Sequence, residues 1–290
     1  KNIFSRKGNR ENRKHNRLRF LIEELGMPEF QRLYKEEYNR LKQTENISLR
    51  SVVFPARDEL DSSLPQKEDK EFKEFLDYSV RPQRQKGYSS VELRIPQGDL
   101  PVKQAIGLAG LEEDFPGIEF YLSQNQNIFI AWVKNSDLYN LFLKIEQILG
   151  EFLYPQTLLD VIPCKGALTC SLGFCDAPGL AKEIEEVIKK EFIAKKIFRK
   201  LNIRISGCPN ACSQHPIGDI SFYGVLRKLS GQEVPYYKLL VGGRKKAQES
   251  ILAEGIDMIP AKNIPAFLKE FLTQLETKIV NEDEDIFALL

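Results

Sequence analysis

An α+β architecture in successive units is what the sequence predicts, and three observations predict it. Hydrophobic residues alternate in short runs, as at Val91, Leu93 and Ile95 or Leu201, Ile203 and Ile205, which is the period of a half-buried strand. Between these runs apolar residues recur three and four apart, as at Leu138, Leu141, Phe142, Ile145 and Leu149, which is the period of a buried helix face. All five cysteines lie between Cys164 and Cys212, on the short loops that these elements leave over.

Residues 1–20 carry eight Lys or Arg against one acid, Glu11. The run reads as a solvated lead-in to a helix, with a basic arm for nucleic acid or a cofactor's carboxylates as the alternative. Leu18, Leu21, Ile22 and Leu25 then give a short amphipathic helix stopped by Gly26. Pro28 opens a second helix with Phe30, Leu33, Tyr34 and Leu41 on its face. Residues 45–85 are polar, contain Pro55, Pro65 and Pro82, and read as linker and loop with one strand near 52–54.

A compact unit follows over 86–155. Its strand through Val91, Leu93 and Ile95 turns at Pro96-Gln97-Gly98-Asp99 into a helix over 102–111. Strands at 118–122 and 128–133 flank the polar run Ser123-Gln124-Asn125-Gln126-Asn127, and Ser136 is placed to cap the helix that holds Leu138 to Leu149. The order βαββα is half of a ferredoxin-like α+β arrangement.

Residues 156–290 hold a turn at 176–179, then a helix through Leu180, Ile184, Val187 and Ile188. The strand through Ile205 runs straight into Gly207-Cys208, so the second cysteine pair sits on a loop at a strand end. Further strands are expected at 217–223 and 236–241. Asn263 caps a last helix, with Pro265 in its first turn and Ile264, Phe267, Leu268, Phe271, Leu272 and Leu275 inward. The acidic run 281–285 reads as a frayed tail.

Composition bounds the function. A 290-residue chain with 42% hydrophobic and 29% charged residues is an ordinary soluble globular protein, and a net charge of +1 gives no global case for nucleic-acid or membrane binding. No apolar run approaches the roughly 20 residues of a membrane span. The start Lys1-Asn2-Ile3 shows no signal peptide and no initiator Met, so a cytoplasmic, reducing compartment is expected and Lys1 is not read as a native terminus. No dinucleotide fingerprint or phosphate loop is present. Of the two histidines, His15 belongs to the basic lead-in and His215 follows Cys212 by three; it is read as a packed loop residue, with a proton donor near a cofactor as the alternative.

Cys164 and Cys170 have five residues between them, and Cys208 and Cys212 have three. Two loops bearing two thiols each can bring four sulfurs together. Structural zinc favours gaps of two to four residues, an iron–sulfur cluster takes thiolates from converging loops, and buried structural thiols are the plain alternative. Gly166, Ala167, Gly173, Gly207 and Ala211 would let backbone approach an inorganic core. Spacing alone leaves all three open.

Cys-x5-Cys followed by Gly207-Cys208-Pro209-Asn210-Ala211-Cys212 resembles the signature of the siroheme-dependent sulfite and nitrite reductases. The resemblance implies an α+β fold: a ferredoxin-like half-domain over 86–155 and a mixed α/β siroheme/[4Fe–4S]-binding domain over 156–290, preceded by the tail of another siroheme-domain half and a linker over 1–85. It implies that Cys164, Cys170, Cys208 and Cys212 ligate one [4Fe–4S] cluster, and that Cys212 bridges to the siroheme iron. Gln124 and Gln126 become candidate siroheme contacts, Gln126 the better of the two, and Asn210 a candidate contact on the cysteine loop. Backbone N–H groups of Gly207 and Asn210 become candidate donors to the sulfurs. Cys175 has no counterpart in the signature and reads as a packed thiol. No catalytic side chain is assigned, because the Lys and Arg set that neutralises the substrate comes mainly from the first half of such enzymes. Arg204 and Lys165 are read as solvated surface residues. The implied activity is six-electron reduction of sulfite to sulfide or nitrite to ammonia, with sulfite slightly preferred, fed by ferredoxin or a flavoprotein, and with the N-terminal half of the enzyme as the missing partner. An iron–sulfur electron-transfer or redox-sensing module without siroheme is the alternative. Ser213-Gln214 departs from the Gly-Arg that follows the bridging cysteine in many sulfite enzymes.

Overall fold

The structure is a computed structural model that describes residues 1–12, 15–44, 58–150, 155–193, 195–198, 201–245 and 250–278. The strand expected near 52–54 and the acidic run 281–285 lie outside the described residues. The chain divides into two units, Lys1–Arg57 and Asp58–Leu290.

The first unit contains helices α1 (Asn2–Lys7), α2 (Leu18–Leu25) and α3 (Met27–Thr44). Gly26 ends α2 as expected, with φ of 75° and its N–H donating to the Ile22 carbonyl at 2.8 Å. One residue of the basic lead-in is paired rather than simply solvated: Arg6 reaches Glu37 of α3 at 3.4 Å, while His15 is exposed beside the Phe20 ring.

The second unit opens with a correction. The stretch read as linker includes helix α4 (Lys70–Ser79), whose Phe72 and Phe75 are fully buried, and strand β1 (Val80–Pro82). Asp69 caps α4 by accepting from the N–H groups of Glu71 and Phe72. The sparse apolar positions of 70–79 lie one helical turn apart, and that is enough to make a core face. Strands β2 (Tyr88–Leu93), β3 (Glu119–Leu122) and β4 (Ile128–Lys134) join β1 in an antiparallel sheet of order β1-β2-β4-β3. Helices α5 (Val102–Ala109), α6 (Leu111–Asp114) and α7 (Leu138–Leu149) complete the unit. One core joins the inward faces of α4 and α7 to Val91, Leu93, Ile130 and Val133 of the sheet. Ser136 does not cap α7. A 3-10 turn over Asn135–Asp137 precedes the helix, and no side chain closes its start.

Strands β5 (Ile162–Pro163), β6 (Ile203–Ser206), β7 (Ile220–Leu229), β8 (Gln232–Val241) and, later in the chain, β11 (Glu254–Pro260) form a mixed sheet of order β11-β8-β7-β6-β5. The short pair β9 (Arg244–Lys245) and β10 (Ser250–Ile251) stands apart from it. The β5–β6 and β6–β7 pairs are parallel, the rest antiparallel. Between β5 and β6 run α8 (Gly166–Thr169) and α9 (Ala177–Glu191), and α10 (Ile264–Lys278) closes the described chain. The turn expected at 176–179 is the first turn of α9, capped by Asp176, which accepts from the Gly179 N–H. Helices α9 and α10 pack on the apolar face of the sheet, which holds Ile203, Ile205, Phe222, Tyr237 and Leu239.

Candidate metal and cofactor site

Parallel strands point their carboxyl ends the same way, and that sheet edge is where α/β folds place ligands. Here β5 ends one residue before Cys164 and β6 two residues before Cys208. The Cys164 N–H continues the pairing by donating to the Ile205 carbonyl at 2.8 Å. The two cysteine loops therefore leave adjacent strands side by side.

Glycine lets them touch. The N–H groups of Phe174 and Cys175 both donate to the Gly207 carbonyl, at 2.9 and 3.1 Å. A Cβ on Gly207 would stand 2.6 Å from both the Cys175 carbonyl oxygen and the Gly166 Cα, and one on Gly173 would stand 2.5 Å from the Gly166 carbonyl carbon. No side chain fits either contact.

The Cys164 sulfur accepts from the Gly207 N–H at 3.1 Å and the Gly166 N–H at 3.3 Å, so Gly207 is a sulfur donor as the sequence suggested. Cys208 is buried, Cys164 half-buried, and Cys170 and Cys212 exposed. Protein packed to one side of the Cys212 thiol, and then the sulfurs of Cys164, Cys208 and Cys170 around it, hold its pKa above the ordinary thiol range. The four sulfurs thus share one neighbourhood. Among the described residues no three His, Cys, Asp or Glu side chains close on a single-ion site. Thiolates around a multi-iron core stand farther apart than ligands of one ion, and amide donors and flanking glycine backbone suit such a core. Cys175 is a different kind of residue. It is buried, burial pushes its pKa up to about 11, and its thiol donates weakly toward the Val225 and Tyr236 carbonyls at 3.7 and 3.5 Å.

Two family descriptions match consecutive parts of the chain: the nitrite and sulphite reductase 4Fe-4S domain over residues 155–276, and the nitrite/sulfite reductase ferredoxin-like half domain over residues 81–148. The chain belongs to the nitrite and sulfite reductase family. A siroheme and a [4Fe–4S] cluster are the cofactors of that family. Among its members, the ferredoxin–nitrite reductase of Synechococcus elongatus is 25% identical over 94% of this chain and 49% of its own length. The chloroplastic ferredoxin–nitrite reductase of Spinacia oleracea is 28% identical over 96% of this chain and 44% of its own. The NADPH sulfite reductase hemoprotein beta-component 1 of Pectobacterium carotovorum is 27% identical over 82% of this chain and 38% of its own. The chain spans about half the length of the curated nitrite reductases it matches. In fold it is similar to the Mycobacterium tuberculosis NirA protein, with a TM-score of 0.66 at 18% identity over 97% of this chain and 48% of the other.

Gln126, at φ 67°, donates from Nε2 to the Pro163 carbonyl at 2.6 Å, one residue before Cys164, while its buried Oε1 has no hydrogen-bond partner among the described residues. Gln124 is exposed on the same turn, and Asn210 is exposed on the second cysteine loop. His215 is packed: it is buried, stacks on Tyr223 with ring centroids 4.9 Å apart, and is held by desolvation down to a pKa of about 4.

Arg204 corrects the surface reading. It is 5% exposed, and it spans from the cysteine loop to the Gln-Asn turn: Nη1 donates to the Ser213 carbonyl at 3.0 Å and Nη2 to Asn125 Oδ1 at 2.9 Å. Lys165 is half exposed, as expected, and pairs with Asp99. A second buried network went unread in the sequence. Arg94 lies 3.5 Å from Asp160 and 2.7 Å from Glu185, and Asn127 donates to Glu92 at 3.1 Å and Asp160 at 2.8 Å. It ties the β2 and β4 ends to the segment before β5 and to α9.

Proposed function

We propose that this chain is the C-terminal portion of a reductase that takes nitrite to ammonia, or sulfite to sulfide, by six-electron reduction at a siroheme fed from a [4Fe–4S] cluster. What supports the reading is that the loops bearing Cys164, Cys170, Cys208 and Cys212 leave the ends of two adjacent parallel strands and touch, the Cys164 sulfur on the Gly207 N–H and Gln126 on the Pro163 carbonyl. Nitrite takes first place: several relatives that align over 94–96% of the chain are named nitrite reductases, while two named sulfite reductases align over 82% and 37% and one further nitrite reductase over 82%.

When bound, the siroheme supplies the iron that takes the substrate, and the cluster supplies electrons to it. The four thiolates would hold the cluster, and Cys212, exposed on the second cysteine loop, would be the thiolate shared with the siroheme. The Gly166 and Gly207 N–H groups donate to the Cys164 sulfur, and would draw charge from it and favour the reduced form of a bound cluster. Gln126, through its unpaired Oε1, with Gln124 and Asn210, would contact the siroheme. The cations that neutralise the substrate belong to the other half of the enzyme, and ferredoxin or a flavoprotein is the donor. A reducing compartment, the cytoplasm among them, keeps the five thiols unpaired.

The test is the full-length enzyme loaded with both cofactors, reduced with viologen dye, and given nitrite or sulfite in separate assays. Ammonia formed faster than sulfide supports the assignment as stated, and the reverse order moves it to sulfite. Cluster bands without siroheme absorbance, and neither substrate consumed, would establish the electron-transfer module instead.

A further inference from the structure

Cys212 occupies an unusual piece of backbone. It and Ser213 are the two central residues of a turn closed by the Gln214 N–H donating to the Ala211 carbonyl at 2.8 Å. Ala211 and Gln214, on either side, both stand at positive φ, 57° and 60°, without being glycine. Such a turn persists only where its surroundings over-determine it.

The surroundings converge on Ser213. Its Oγ lies 2.7 Å from Ser206 Oγ, its N–H donates to the same Ser206 oxygen at 3.4 Å, and its carbonyl accepts from Arg204 Nη1 at 3.0 Å. Ser206 Oγ is also 2.9 Å from His215 Nδ1. One arrangement satisfies all three side chains: Ser213 O–H donates to Ser206, and Ser206 O–H donates to His215 Nδ1. Ser206, Ser213 and His215 are all buried, so no water competes for these bonds. Ser206 ends β6, and the His215 ring rests on Tyr223 of β7, so the chain of bonds is anchored in two strands of the sheet.

We infer that the Ser206–Ser213–His215 relay is a clamp that fixes the Cys212 sulfur, with Ser213 as its positioning residue. The clamp presupposes Cys212 as a ligand, and so rests on the reading above. Cys212 is itself exposed, and the buried residue beside it carries the anchor. Its service is to the cluster: a Cys212 sulfur held in one place keeps the iron bonded and the cluster's electronic environment single-valued.

The experiment uses the holoenzyme and its Ser213→Ala and Ser206→Ala variants, with Ser79→Ala, a fully buried serine at the end of α4, as control. Cluster loss under an iron chelator is timed, the electron paramagnetic resonance spectrum of the reduced cluster is recorded, and far-ultraviolet circular dichroism follows the fold. Both clamp variants are expected to lose iron several-fold faster and to show a broadened or shifted resonance with unchanged dichroism, while Ser79→Ala matches the parent. Parent-like loss rates and spectra in both clamp variants overturn the clamp and leave the ligand assignment standing. A parent protein that holds no cluster at all overturns the ligand assignment, and the clamp with it.

Discussion

Replacing Arg94 with Met is the sharpest test of how the two halves of the second unit are joined. Arg94 is 2% exposed and faces Asp160 and Glu185, which are 4% and 7% exposed, so the substitution removes the cation and leaves both carboxylates in place. Glu92 joins the same network through Asn127, which donates to both Glu92 and Asp160, so two buried acids share the guanidinium and a third is tied to them by hydrogen bonds. Breaking a buried pair by deleting one partner costs about 3–5 kcal/mol. Arg94 approaches its partners at ionic distance but off the hydrogen-bond axis, which favours the lower half of that range. The loss must depend on pH. Burial already raises the pKa values of Glu92, Asp160 and Glu185, and removing the cation raises those of Asp160 and Glu185 further. An acid raised in the fold favours the native state below its unfolded pKa, and that contribution is lost as pH rises through the folded one. Denaturant unfolding of the variant should therefore show its full deficit at pH 8 and a smaller one at pH 5.5, and adding Glu185→Gln should recover part of the loss at pH 8. A variant within 1 kcal/mol of the parent at pH 8 would refute the reasoning.

Two further predictions follow from the site. Asp219 is 2% exposed and is pushed up to about 6 by burial from an ordinary 3.8, so it costs the native state about 2–3 kcal/mol at neutral pH, a cost that fades as pH falls from 6 to 4. Asp219→Asn should stabilise the protein by that order at pH 7 and by progressively less below pH 6. His215, held down to about 4, has the opposite slope and loses stability as pH falls from 6.5. The two contributions oppose each other in the parent, and the Asn variant should show the steeper acid loss in a series of thermal midpoints. Gly207→Ala would drive a methyl into the Cys175 carbonyl and Gly166 at 2.6 Å. It should lower stability by about 1–3 kcal/mol and shed iron on gel filtration; retention of the parent's iron content would show that the loops can separate without harm.

The elements that bury an apolar face on one side were legible in the sequence, and so were the cysteine loops, because glycine, proline and thiol spacing are local signals. Helix α4 was missed because its apolar residues are few and sit in a proline-bearing polar stretch. Arg94 went unread and Arg204 was misread for one shared reason. Each alternates with apolar residues along a strand, Arg94 between Leu93 and Ile95 and Arg204 between Ile203 and Ile205. Alternation tells which face is apolar, but it does not say that the other face is wet. In both places that face is covered by chain distant in sequence: the Asp160 and Glu185 region over Arg94, and the Gln-Asn turn over Arg204. A hint was available at Arg94, where Glu92 precedes it by two on the same face, the spacing of a buried polar row. Ser213 gave no local signal, since its role depends on the backbone bringing it to Ser206.

The most direct test is the iron and acid-labile sulfide content of the protein and of five single Cys→Ser variants after anaerobic reconstitution. The account predicts about four of each per chain in the parent and in Cys175→Ser, with loss or marked depletion on replacing Cys164, Cys170, Cys208 or Cys212. Full clusters without Cys170 or Cys212, or a cluster lost with Cys175, would contradict it.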